Sequence, residues 1–238
     1  PTPSTIAKVA EADMLIFSGV NLEPWVPKIV KAASNPKLTL VDSSQGINLL
    51  LVPSQFQQNN RTFDPHIWLN PVDVKQQVKN ILNGLIKADP EDSDYFIDNA
   101  NSYQIKLDSL NSKITNMTMY SKTRYFITLH GAFAYFAKQY NLMQIPILGP
   151  FEDEPTPTDI QKTIDAIQLY HLCYVGYETL ENPAISKSIE RQTNVTLILI
   201  DTIEGLSTAD QKAGKDYLIL MDENITRIGM ALSNVGCN

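Results

Sequence analysis

Two hydrophobic periods alternate along the chain. Ile6, Val9 and Ala10 recur at helical spacing, and the unbroken run Met14 to Phe17 reads as a buried strand. Helical spacing returns near Trp25 to Ala33, a second strand follows at Leu38 to Val41, and Val74, Val78, Leu82 and Leu85 mark another helix. This βαβα order predicts an α/β fold with a mostly parallel sheet.

The rhythm breaks at Phe96. Phe96, Ala100, Tyr103, Leu107, Leu110, Ile114 and Met117 step by four and three in turn, one sustained stripe on a long helix. At about 1.5 Å rise per residue the helix spans on the order of 35 Å. An ordinary core-facing helix gives the same stripe as a helix joining two lobes. The α/β rhythm then resumes. Strands are expected at Tyr125 to Leu129, Cys173 to Gly176 and Val195 to Ile200. Helices are expected at Ala132 to Tyr140, along Ile160, Ile164 and Ile167, at Ala184 to Gln192, and along Leu218, Met221, Ile225, Ile228 and Leu232. The expected organisation is a first lobe over 1–90, a linking helix over 91–119 and a second lobe over 120–238. An internal echo agrees with two similar lobes: Pro1-Thr-Pro-Ser-Thr-Ile6 resembles Pro155-Thr-Pro-Thr-Asp-Ile160, each placing prolines and a hydroxyl residue before a helix.

Composition narrows the function. A 43% hydrophobic and 19% charged chain is that of an ordinary globular protein, and a net charge of −7 argues against a nucleic-acid partner. No run of about 18 apolar residues is present to span a membrane. The sequence opens at Pro1 without a Met, so residues upstream are expected, and the first lobe is expected to be partial. Cys173 and Cys237 form no CxxC pair and offer no cysteine zinc site; Cys173, in an apolar stretch, reads as a buried thiol. Four N-x-[ST] sequons, at Asn60, Asn116, Asn194 and Asn224, point outward from the cytoplasm.

Three residues suit a metal. His66 stands just before a helix, His130 at the end of the strand Tyr125 to Leu129, and Asp201 at the end of Val195 to Ile200. Ligands of open α/β sheets gather beyond the carboxyl ends of strands. Imidazole with carboxylate suits Zn(II), Mn(II) or Fe(II). A strand-end Asp is equally a common turn cap. His171, between a helix and a strand, reads as structural.

The wording around these residues resembles the cluster A-I substrate-binding proteins, extracytoplasmic zinc- and manganese-binding components of ABC importers. Asp64-Pro65-His66-Ile67-Trp68-Leu69-Asn70-Pro71 is similar to the family's DPHxWLDP segment, and His130-Gly131-Ala132-Phe133-Ala134-Tyr135-Phe136 to its HxAFxYF segment. Glu11 to Ile16 with Gly19 and Leu22-Glu23-Pro24-Trp25, and Glu154-Pro155-Thr156-Pro157, resemble two further stretches, so the likeness covers nearly the whole chain. The resemblance implies two α/β lobes, a rigid linking helix and a metal in the cleft between the lobes. His66 and His130 would be the second and third ligands and Asp201 the fourth, with the first a His immediately upstream of Pro1. The family carries Glu at the position of His130 in manganese-leaning members and His in zinc-leaning ones, so Zn2+ is the expected ion, with Mn2+ or Fe2+ as alternatives. The implied partner is the membrane permease of an ABC importer, and the implied state is a monomer, held periplasmic or at the cell surface. Gly149 to Glu154 departs from the family's usual loop, and there is no His-rich insertion.

Two other readings stay open. A two-His, one-carboxylate set also serves non-haem iron oxygenases and hydrolytic zinc enzymes. No HExxH or GxSxG accompanies it here, and no enzymatic activity is expected. Some family members are described as surface adhesins, which makes cell adhesion the third reading.

Overall fold

The computed structural model describes residues 2–57, 61–151, 154–178 and 184–236. The chain divides into two compact units, Pro1–Leu49 with Phe63–Asp108, and Leu50–Thr62 with Ser109–Asn238.

The first unit alternates helix and strand: α1 (Pro3–Glu11), β1 (Met14–Phe17), α2 (Val26–Ala33) and β2 (Thr39–Asp42), followed by α3 (Pro71–Ala88). β1 and β2 pair in parallel from Met14↔Thr39 to Phe17↔Asp42, as the βαβα pattern requires. Each helix start has a local cause. Thr2 caps α1 through its hydroxyl, Asn70 caps α3 by accepting from the Val72 amide, and a proline occupies the first turn of both. α3 lies close on the strands because Gly84 has no side chain; a Cβ there would meet Val41 Cγ2 at 2.3 Å. Asn80 of α3 then fixes the chain beyond β2, its Nδ2 donating to the carbonyls of Ser43 and Gln45 at 2.8 Å each.

The expected long helix is α4 (Ser93–Met119), 27 residues and thus about 40 Å long. The division between the units falls within it. Its Leu107, Leu110 and Ile114 are buried, the centre of the stripe seen in the sequence.

The second unit holds a parallel sheet in the order β4-β3-β5-β6, built from β3 (Tyr125–His130), β4 (Met143–Leu148), β5 (Tyr174–Tyr177) and β6 (Thr196–Leu199). α5 (Ala134–Gln139), α6 (Pro157–Tyr170), α7 (Ala184–Thr193), α8 (Thr208–Lys212) and α9 (Tyr217–Ser233) complete it. Its core gathers Ile127, Leu129, Ile147, Val175, Ile189 and Val195 around the sheet. Strands buried on both faces read as continuous apolar runs, which is why β3, with Phe126 to Leu129 all buried, stands out in the sequence. Strand β4 does not, because Pro146 interrupts its run. A proline cannot donate to a ladder and belongs on an edge, and β4 is one of the two edge strands of this sheet.

Cys173 corrects an expectation. It is buried, but it is disulfide-bonded and not a thiol. The only other cysteine of the chain, Cys237, lies outside the described residues. The tail before it is held to the same place: Val235 bridges Leu172 in antiparallel fashion, and Gly236 N–H donates to the His171 carbonyl at 2.9 Å. A persisting disulfide fits an oxidising compartment. Cys173→Ser is expected to lower stability by about 2–4 kcal/mol. Urea melts with and without reductant check this: reductant should reproduce the loss in the wild type and add nothing in the variant.

Candidate metal centre

His66 belongs to the first unit and is built into it by its neighbours. Its Nδ1 lies 2.7 Å from Asp64 Oδ1, and its own amide donates to the same oxygen at 2.9 Å. Asp64 and His66 are both buried. An acceptor carboxylate at Nδ1 fixes the tautomer with the proton there, which leaves the Nε2 lone pair to ligate a metal. The Trp68 ring flanks the imidazole at 5.3 Å between centroids. The fully buried Ile67 and Leu69 anchor the short turn that carries the chain from His66 into α3.

His130 closes strand β3 in the second unit. Its ring Nε2 lies 3.1 Å from the Pro150 carbonyl, so that nitrogen donates and the Nδ1 lone pair is the one for a metal. The Gly149 to Glu154 loop, which departs from the family pattern, thus supplies the orienting acceptor of His130; its Glu152 and Asp153 lie outside the described residues. Gly131 permits this, since a Cβ there would come to 3.2 Å from both Leu148 O and Pro150 N. The His130 backbone is held as well. Its carbonyl accepts from Gln144 Nε2 at 2.9 Å and from the Thr128 hydroxyl at 2.7 Å, and its N–H donates to Glu178 Oε1 at 3.2 Å.

His130, Glu178 and Asp201 stand at the carboxyl ends of three neighbouring strands, β3, β5 and β6. Asp201 is engaged locally: its Oδ1 accepts the Ile203 amide at 2.7 Å, a side-chain turn. The carboxylate beside His130 belongs to Glu204, three residues on. The ligand atoms of His130 and Glu204 lie within 4.8 Å of one another. Two donors on one tetrahedral zinc ion sit about 3.3 Å apart, given bonds of about 2.0 Å. Glu204 is exposed, and its carboxylate would close to that spacing on sharing an ion with His130. Sequence reading missed both Glu204 and Glu178. The signal for Glu178 was an acid just past the strand Tyr174–Tyr177; for Glu204 there was none beyond its nearness to Asp201. His171 is exposed at the end of α6 with a left-handed φ of 52°, the structural role expected of it.

A parallel α/β sheet carrying imidazole and carboxylate at its strand ends is the architecture of a protein that gathers a ligand there. The chain belongs to the ZnuA family: the family model "Zinc-uptake complex component A periplasmic" matches residues 1–231. The high-affinity zinc uptake system protein ZnuA of Bacillus subtilis is 29% identical over 94% of this chain and 73% of its own length. The zinc-binding protein AdcA of Streptococcus pyogenes is 29% identical over 99% of this chain, which spans 49% of that protein. The Zn(II)-bound ZnuA-like domain of Streptococcus pneumoniae AdcA superposes with a TM-score of 0.83 at 26% identity, covering 98% of this chain and 85% of that one. Among the described residues no helix is long and apolar enough to cross a membrane.

Proposed function

We propose that this protein captures Zn(II) outside the cytoplasm as a monomer and hands it to the membrane permease of an ABC importer, without chemical turnover. The observation that carries the reading is the His130–Glu204 donor pair at the strand ends of a chain matched by the ZnuA family along nearly all its length. The donors are His66, His130 and a carboxylate of the loop after β6. Glu204 is favoured by its nearness to His130; Asp201 is the alternative drawn from the sequence. The resemblance assigns a further imidazole to the stretch preceding Pro1.

Ligand chemistry supports zinc. Imidazole-rich, oxygen-poor sites prefer Zn(II) to Mn(II), and the Irving–Williams order points the same way. The orienting acceptors at both imidazoles, Asp64 and the Pro150 carbonyl, suit ring nitrogens held ready to ligate an ion. Competition calorimetry on the full-length protein tests the reading. Bound Zn(II) should survive equimolar Mn(II) and Fe(II); displacement by equimolar Mn(II) would make the protein a manganese carrier. Hydrolysis or oxygenation by metal-loaded protein would instead place it among the metalloenzymes.

A further inference from the structure

The loop that leaves β6 carries constraints beyond those of a solvent-facing connection. Asn224 of α9 is fully buried and pairs with both backbone groups of Asp201. The Asp201 N–H donates to Asn224 Oδ1 at 2.8 Å, and Asn224 Nδ2 donates to the Asp201 carbonyl at 2.7 Å. A neighbouring strand would offer the same two contacts, so residue 201 is held as if the sheet continued past Leu199. From that fixed point the Asp201 side chain acts forward, Oδ1 accepting the Ile203 N–H at 2.7 Å. Ile203 has a φ of 54°, in the left-handed region that β-branched residues avoid. Such a conformation persists only where surrounding contacts over-determine it, and it gathers at functional sites. The residue that follows is Glu204. If Ile203 relaxed to an ordinary conformation, the chain would turn and carry the Glu204 carboxylate away from His130. A second tie acts on the same loop, the Thr202 hydroxyl donating to Glu178 Oε2 at 3.4 Å while Oε1 receives the His130 amide.

We propose that Asp201 is a positioning residue: anchored by Asn224, it holds Ile203 in the left-handed conformation that aims Glu204 at the ion beside His130. This rests on the reading of Glu204 as a metal donor, and the experiment separates the two. Zn(II) affinity of the full-length protein is measured by chelator competition, with the Co(II) d–d spectrum as a report on donor geometry and apo-protein melts as a check on folding. Glu204→Gln tests the donor reading and should weaken binding at least about 10-fold. Asp201→Ala should weaken it about 10–100-fold and change the Co(II) spectrum. Asp201→Asn should stay within about 3-fold of the wild type, because an amide oxygen accepts the same Ile203 N–H. Adding Ile203→Gly to Asp201→Ala should restore most of the affinity, since glycine adopts positive φ without a Cβ clash. Equal losses for Asp201→Asn and Asp201→Ala would overturn the proposal and make Asp201 a ligand through its charge. An Asp201→Ala protein that binds as the wild type does would also overturn it. Unchanged binding by Glu204→Gln would sink the donor reading whatever the Asp201 variants do. If Asp201→Ala does not fold, Asp201→Asn against Glu204→Gln decides: retention in the first with loss in the second supports positioning, and loss in both overturns it.

Discussion

Replacing His66 by alanine is expected to weaken Zn(II) binding by at least about 100-fold, more than loss of a group that only orients a metal-binding ring, which typically costs about 10–100-fold. The imidazole is held before any ion arrives. It is buried, its ring is flanked by Trp68, and Asp64 holds the Nδ1 proton. Rigid placement means that little ordering remains to oppose binding, so the full worth of the metal–nitrogen bond is lost with the ring. Asp64→Ala should weaken binding about 10–100-fold, because the ring loses its tautomer and its orientation together. His171→Ala should bind as the wild type does, since that residue serves a helix end. Calorimetry on the three variants checks this, and equal losses across all three would refute the assignment.

Phe136→Ala should cost the second unit about 3–5 kcal/mol. Phe126, Phe133 and Phe136 are each at most 1% exposed. Their rings meet edge to face, with centroids 6.1–6.4 Å apart. Tyr140 adds a fourth ring 5.0 Å from Phe136. Edge-to-face pairs add to the area that each ring buries, and a rigid core cannot close over the void an alanine leaves. The cluster joins strand β3 to α5, so it also supports the segment that ends in His130. Urea denaturation measures the loss; a change under about 1 kcal/mol would show that the cluster collapses around the gap, and Phe136→Leu should fall between the two.

Much of this was legible in the sequence, for physical reasons that differ by element. Continuous apolar runs disclosed β1, β3 and β6, and the four-three stripe disclosed α4, whose Leu107, Leu110 and Ile114 are buried. His130 was readable because a polar residue ends a run that is otherwise apolar. Strand β4 was hidden by Pro146, whose meaning depends on whether a strand lies at an edge. Glu204 was hidden because nothing local marks it: its direction is set by a positive φ at Ile203, which no propensity assigns to isoleucine. Asn224 read as a glycosylation sequon, yet its side-chain amide is committed to Asp201, 23 residues earlier. The bond at Cys173 is equally non-local, and residue type alone does not separate a buried thiol from half of a disulfide.

The burial of Asn224 has a practical consequence. Asn224-Ile225-Thr226 is an acceptor for oligosaccharide transfer, and in a eukaryotic secretory pathway that transfer reaches the chain as it emerges, before α9 packs. A glycan there could not be accommodated in a position with no solvent exposure, so material from such a host would be trapped short of the native state. Thr226→Ala removes the acceptor signal at a surface position where the hydroxyl donates to the Asp222 carbonyl one turn earlier, and leaves the amide that holds the loop untouched.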